Sequence, residues 1–239
     1  MSPVEALSAW LLSWWELWAI VVAGVLGTGL APLVVGRTES TTPLASGLAE
    51  SVAAAGVPAE RVRVLAGDRG PVAFAAGFSP GHGRVFVSER LVADLSPDQV
   101  AAVVRHEYGH LARRHVPLRI AVPVAFAVTW AVGATVAPVP GFLVGAALVL
   151  PAAYFTVRVS RWSERDADRF AAARADGGAL AAALDSLASA GHVAEGGRLS
   201  RHPPLSTRVT RLEERAERSE LSPRDPTRDS VEEPRATDD

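Results

Sequence analysis

Three stretches of this chain contain no charged residue and are long enough to cross a membrane as helices. They run from Leu17 to Val35, from Ile120 to Val136 and from Gly141 to Val157. A helix rises about 1.5 Å per residue, so the first stretch spans roughly 28 Å, close to the hydrocarbon thickness of a bilayer. The other two are shorter, and the proline-containing segment Ala137 to Pro140 between them predicts a helical hairpin. The pattern therefore predicts about three transmembrane helices.

Two other interpretations of these stretches stay open at the level of sequence. The first stretch could be a cleaved signal peptide, although it has no basic start and is longer than a usual signal core. The hairpin could be a buried helix pair of a soluble domain. Membrane embedding is favoured because four tryptophans, at positions 10, 14, 15 and 18, lie where an interfacial aromatic belt would form.

The placement of arginine predicts the orientation of the chain in the cell membrane. No Lys or Arg precedes the first stretch, whereas Arg37 follows it and further arginines flank the open side of the hairpin. The positive-inside rule therefore places the N-terminus outside and the segments on both sides of the hairpin in the cytoplasm. A hairpin returns the chain to the side that it left, so these two segments can share one site.

The remaining segments show helical and strand periodicity. Ser96, Pro97 and Gln99 form a helix-start signature, with Ser as the cap, Pro at the first helical position and Gln closing a capping box. Other elements follow from periods of 3.6 and 2 residues. The predicted helices are Pro43 to Ala55, Glu89 to Asp94, Pro97 to Arg114, Ser160 to Ala175, Gly178 to Ala190 and Pro203 to Leu221, and the predicted strands are Arg61 to Ala66, Val72 to Gly77 and Arg84 to Val87.

These elements predict a mainly α fold with a small β-sheet, combined with about three transmembrane helices. The chain divides into an N-terminal membrane anchor, the first half of a cytoplasmic domain, the transmembrane hairpin, the second half of that domain and a charged tail predicted to be disordered. The corresponding residues are 1–36, 37–117, 118–158, 159–221 and 222–239.

Composition narrows the chemistry that this domain can carry. The 239 residues are 49 % hydrophobic, carry a formal net charge of −2 and include no cysteine. The absence of cysteine excludes disulfides, thiolate metal sites and a cysteine nucleophile, so any metal must be held by His, Asp or Glu. The near-neutral charge and the absence of a nucleic-acid-binding motif predict no nucleic-acid partner.

The predicted helix 97–114 contains His106, Glu107 and His110 in the order HExxH. Residues four apart project from one helix face, so the two imidazoles can share a zinc ion while Glu107 lies beside them to take a proton from its bound water. The alternative is a pair of surface histidines without a metal. The motif favours one catalytic Zn²⁺ per chain.

A catalytic zinc site needs a third protein ligand. A third histidine downstream of the motif is excluded, because Arg113 and Val116 occupy the Gly and His positions that it requires. Glu164 is the better candidate, and Asp168, one helical turn later on the same face, could hydrogen-bond a ligand histidine. Such an acidic pair is alternatively a solvated helix face. The hairpin favours the ligand interpretation because it returns Glu164 to the side of the HExxH helix. The other histidines, His82, His115 and His192, are predicted to be turn or surface residues without a functional role.

Together these motifs resemble the HtpX-like and CAAX-prenyl-protease-like membrane zinc metallopeptidases. The resemblance rests on AFAAG near Val72, on RVFVSERLVADLSPDQVAAVVRHEYGHLARRH, on ERDAD at 164–168 and on His202-Pro203-Pro204, and it extends over about 42–212. It implies a zincin-like α+β catalytic domain, with His106, His110 and Glu164 as ligands, Glu107 as general base and Asp168 as their support. It also implies that His202 is a catalytic residue that lies near the catalytic centre and steadies the transition state, accompanied by Arg208.

The chain departs from that pattern in two respects. Val72 stands where bacterial heat-shock members carry Asn, and one span precedes the motif where those members have two. The segment 61–115 is also similar to the BlaR-type sensor peptidases, but the HPP segment favours the HtpX-like assignment.

The leading functional hypothesis is an integral-membrane zinc endopeptidase that cleaves cytoplasmic or membrane-associated polypeptides. The extended stretch Arg84 to Val87 is predicted to offer a strand edge to the substrate. One alternative is a sensor or regulatory membrane protein with a metal-stabilised domain and little turnover. Another is a metal-free membrane scaffold.

Overall fold

A computed structural model describes residues 15–174, 177–191 and 203–221 of the chain. The prediction of a mainly α fold with a small sheet and three membrane-spanning helices is confirmed. The predicted tail 222–239, His192 and His202 lie outside the described residues. The helices are α1 (Trp15–Thr38), α2 (Ser46–Ala54), α3 (Glu89–Asp94), α4 (Pro97–Ala112), α5 (His115–Val136), α6 (Pro138–Ala172), α7 (Gly177–Ser189) and α8 (Leu205–Leu221), with a 3-10 turn at Ala59–Arg61.

Helices α1, α5 and α6 are each long and apolar enough to span a membrane. Their large apolar side chains face outward, as shown by Leu26 at 55 % and Leu150 at 79 % exposure. An apolar surface of this extent is suited to lipid contact and is rare on a soluble domain. Helices α5 and α6 pack against each other as the predicted hairpin, in which Gly145 lies directly against the ring of Trp130. The hairpin is therefore not the core of a soluble domain.

The strands β1 (Thr41–Thr42), β2 (Val62–Leu65), β3 (Ala73–Ala76) and β4 (Arg84–Ser88) form one sheet in the order β1-β2-β4-β3. Strands β2 and β4 are parallel, whereas β3 runs antiparallel to β4. The three predicted strands agree with β2, β3 and β4 to within one residue at each end. The prediction that Arg84 to Val87 offers a free edge is wrong, because β4 is paired on both sides. Strand β3 lies at the edge instead.

Helix α4 runs through the centre of the water-soluble domain. Val100, Val104 and Leu111 are at most 1 % exposed, and α4 packs against α2, α6, α7 and the sheet. The predicted capping box forms at its start: Ser96 Oγ accepts from Gln99 N at 3.3 Å, and Gln99 Oε1 accepts from Ser96 N at 2.9 Å. The cap fixes where the helix begins, and the buried face fixes which side points to the core.

Helix α6 differs from the prediction because it continues without a break from the hairpin to Ala172. The separate polar helix predicted to begin near Ser160 is its C-terminal part. The charge pattern changes where the helix leaves the apolar region, but no glycine or proline follows Pro151 to interrupt the backbone ladder. The residues near Glu164 are therefore attached rigidly to a transmembrane helix.

The connection between α4 and α5 is short and sharply bent. Arg114 has φ 54° and ψ 37°, the left-handed conformation, and α5 begins at the next residue, His115. Among described residues other than glycine, Arg114 alone has a positive φ. This turn redirects the chain from the soluble domain into the hairpin while keeping His115 close to α4.

Candidate active site

Helices α4 and α6 bring together the three residues predicted to hold a metal. His106 and His110 come from α4, Glu164 comes from α6, and one ligand atom of each lies within 4.8 Å of the others. The Nε2 atom of His106 is 3.7 Å from Glu164 Oε2, and that of His110 is 3.5 Å from Glu164 Oε1. All three side chains are buried.

The donor set fits a divalent metal ion. Both Nε2 atoms face the same carboxylate, at separations longer than a typical hydrogen bond, so the three donors converge without satisfying one another. Two imidazole nitrogens and one carboxylate oxygen are the ligands of an open catalytic zinc site.

Asp168 links His106 to a buried arginine. Its Oδ1 lies 2.9 Å from His106 Nδ1, and the carboxylate accepts two hydrogen bonds from Arg208, at 2.6 Å from Nη2 and 3.0 Å from Nε. Arg208 Nη1 also lies 3.8 Å from Glu164 Oε2. Asp168 thus occupies the Nδ1 side of His106 and leaves Nε2 directed at the predicted metal position.

Electrostatics distinguish the two histidines of the motif. Burial by itself lowers the pKa of His106, but the neighbouring carboxylates of Asp168 and Glu164 outweigh it and raise this pKa to about 10. Burial and the neighbouring His106 lower the pKa of His110 to about 2. The carboxylates around His106 therefore make the site attractive to positive charge, whereas His110 is a neutral ring with a lone pair to donate.

Glu107 follows His106 on α4 and points toward the sheet. Its Oε2 accepts a hydrogen bond from the backbone N–H of Ala75 in β3 at 3.1 Å. Burial raises the pKa of Glu107, and the positive charge of His106 opposes that rise. A carboxylate with a raised pKa beside a metal site is suited to accept and return a proton.

His115 was predicted to be a turn or surface residue, and this prediction is wrong. The side chain is fully buried, with Nδ1 3.1 Å from His110 Nδ1 and Nε2 3.1 Å from Asp166 Oδ2. The left-handed turn at Arg114 folds His115 back onto α4, which the residue pattern did not indicate. Its position five residues after His110 was the available sequence signal. His82 is an exposed turn residue, as predicted.

The sequence pattern does not indicate a role in the site for Arg119. This residue of α5 donates from Nη2 to Glu164 Oε1 at 2.6 Å and from Nε to Ser163 Oγ at 2.8 Å. By its pattern, an arginine in the first turns of an apolar helix indicates membrane orientation alone. Its contact with Glu164 depends on the packing of α5 against α6.

A buried HExxH helix opposed by a glutamate on a membrane-connected helix is a metallopeptidase-type site. Residues 39–216 match the model of Peptidase family M48, so the chain belongs to that family, as the resemblance implied.

Two similar proteins extend this comparison. The chain is 29 % identical over 165 residues to a Protease HtpX homolog of Ralstonia nicotianae, an alignment that covers 63 % of this chain and 57 % of the relative. It also resembles the crystal structure of S. mikatae Ste24p, with a TM-score of 0.61, 21 % identity and coverage of 83 % of this chain and 57 % of that one. The Ste24p comparison supports the fold. The chain spans little more than half the length of each of these proteins.

Proposed function

We propose that this protein is an integral-membrane zinc endopeptidase that cleaves polypeptides in the cytoplasm or at the membrane surface. The observation that carries the proposal is the convergence of His106, His110 and Glu164 beside Glu107 in a buried site. These three residues would hold the metal. When bound, zinc supplies Lewis-acid activation of a water molecule and of the scissile carbonyl.

Glu107 is proposed as the general base. It takes a proton from the attacking water and returns it to the amine nitrogen of the leaving peptide segment. The carboxylate is held by Ala75 N–H at 3.1 Å, which keeps it next to the strand that borders the site. Burial raises the pKa of Glu107, so its carboxylate accepts a proton more readily than an exposed glutamate and can still return it.

The outer edge of β3 is proposed to bind the substrate backbone. In the described part of the chain, no backbone hydrogen bond reaches this edge. The Ser88 N–H donates to Val72 O, and in this register the backbone N–H and C=O of Phe74 point toward β4. The backbone N–H and C=O of Ala73 and Ala75 therefore point outward. Ala75 N–H meets Glu107, so an added strand would lie alongside the base. This edge replaces the one predicted at Arg84 to Val87.

Metal analysis and digestion of casein by detergent-purified protein test the proposal. We expect Glu107→Gln to retain about one zinc per chain and to lose peptidase activity by a factor of at least ~10², the scale of general-base catalysis. Glu50→Gln, an exposed residue of α2, is the matched control and should match the unsubstituted protein.

The outcomes separate the rival functions. Undiminished cleavage by Glu107→Gln would exclude the proposed mechanism. Stoichiometric zinc without cleavage of any unfolded substrate would favour the sensor or regulatory alternative, and a protein that binds no zinc would be a scaffold.

A further inference from the structure

The geometry points to His115 and Asp166 as positioning residues that hold His110 in the tautomer needed for metal binding. The inference rests on the proposed function, in which His110 is a ligand. His115 touches no predicted metal position itself. It lies behind His110, between that ring and a carboxylate of α6.

The direction of each hydrogen bond follows from proton counting. A carboxylate oxygen accepts hydrogen bonds, so the His115 Nε2 that lies 3.1 Å from Asp166 Oδ2 carries the hydrogen. A neutral imidazole has one N–H, so His115 Nδ1 is then an acceptor. The facing Nδ1 of His110, at 3.1 Å, must donate. The lone pair of His110 is thereby placed on Nε2, the atom that faces Glu164 at 3.5 Å.

The burial of His115 indicates that these hydrogen bonds have a role beyond filling space in the core. His115 is fully buried, and its ring meets Trp162 edge to face at 5.5 Å. An apolar side chain would fill such a position without a desolvation cost, whereas a histidine needs partners for both nitrogens. Both partners are present, and they are a proposed ligand and a carboxylate.

The two proposed ligand histidines are therefore supported in related ways. His106 has a carboxylate, Asp168, 2.9 Å from its Nδ1. His110 is connected to a carboxylate, that of Asp166, through the intervening ring of His115. In both cases the Nδ1 side is occupied and Nε2 is left for the metal. Asp166 and Asp168 come from the same helix, so α6 orients both rings of α4 as well as supplying Glu164.

The test compares His115→Leu with His115→Asn. Leucine keeps apolar volume but accepts no hydrogen bond, whereas the amide oxygen of asparagine lies near the position of Nδ1 and can accept from His110. We expect His115→Leu to weaken zinc binding roughly 10- to 100-fold, the usual effect of losing such a partner, and His115→Asn to recover most of that affinity. Zinc affinity is measured by chelator competition in the Glu107→Gln background, which removes self-cleavage.

Melting temperatures of the metal-free variants separate positioning from folding. A purely structural role would lower the melting temperature and leave the zinc affinity of the folded fraction unchanged, which would overturn the inference. Equal zinc affinities for the leucine and asparagine variants would overturn it too.

If His115→Leu does not fold, Asp166→Leu provides the same test from the more accessible end, with Asp94→Leu on α3 as control. Zinc binding to Asp166→Leu as tight as to the control would contradict the inference. Failure of the unsubstituted protein to bind zinc would instead exclude the proposed function.

Discussion

Asp168 is shared by an imidazole and a guanidinium, and both of these groups are buried. Arg208 forms two hydrogen bonds with its carboxylate and lies at 9 % exposure. Neither the Asp168 carboxylate nor the Arg208 guanidinium could stay in this environment without the other, because an isolated buried charge is far more costly than a paired one. The residue that supports a proposed ligand is thus itself dependent on a third residue 40 positions away in sequence.

This dependence predicts the effect of Arg208→Met. The substitution keeps much of the side-chain volume but leaves Asp168 without its cation, so we expect the free energy of unfolding to fall by about 3–5 kcal/mol. Denaturant titration of the detergent-solubilised protein measures the change. Arg218→Met on the same helix is the control, because its pair with Glu214 is exposed and such pairs contribute less than about 1 kcal/mol. Equal losses in the two variants would contradict the prediction.

At the scale of elements, strand β3 and helix α6 determine how the site is built. Strand β3 contributes a free edge and one backbone bond to Glu107. Helix α6 carries Glu164, Asp166 and Asp168 on an extension of a transmembrane helix. The site therefore connects the sheet, the core helix and the hairpin, and a change in any one of them reaches the proposed metal ligands directly.

The proposed role of the β3 edge predicts that Ala73→Pro impairs substrate binding more than folding. Proline removes an outward N–H without breaking a bond to β4, and an edge strand tolerates it. We expect kcat/KM for peptide substrates to fall several-fold, mainly through KM, with little change in melting temperature.

Ala73→Ser retains the N–H and is the matched control. If Ala73→Pro cleaves as efficiently as Ala73→Ser, the substrate backbone does not use this part of the edge.

At the scale of the whole molecule, the hairpin explains how proposed ligands that are far apart in sequence come close together. His110 and Glu164 are separated by α5 and by the apolar part of α6, two candidate membrane spans that return the chain to its starting side. An odd number of spans would place the two halves of the site on opposite membrane faces. The membrane portion is thus part of the construction of the site as well as its anchor.

The predicted orientation can be tested directly because the chain contains no cysteine. Single-cysteine variants report which side of the membrane three regions lie on. The positions are Ser2 near the N-terminus, Val139 in the hairpin tip and Glu60 in the soluble domain. With the N-terminus outside, Ser2→Cys and Val139→Cys should react with a membrane-impermeant maleimide in intact cells, and Glu60→Cys only after lysis. The reverse pattern would place the site outside the cytoplasm. Labelling of Ser2→Cys and Val139→Cys from opposite sides would contradict the three-span arrangement.

Some features could be predicted because they depend on neighbouring residues. The capping box of Ser96 and Gln99 forms within one helical turn, and His106 and His110 share a face because they are four residues apart. The strands were found for the same reason, since alternation is a local pattern. The pairing order of those strands depends on contacts between distant segments, so the strand pattern predicts the free edge at β4, whereas it lies at β3.

The sequence by itself determined the helices and strands, the apolar spans and the spacing of HExxH, because hydrogen-bond periodicity and hydrophobic pattern act over a few residues. The tertiary structure alone decided that His115 is buried, that Arg119 contacts Glu164 and that α6 continues through its change in polarity. These features depend on contacts between distant segments: His115 and Asp166 lie 51 positions apart. The left-handed turn at Arg114 and the packing of α5 on α6 bring them together.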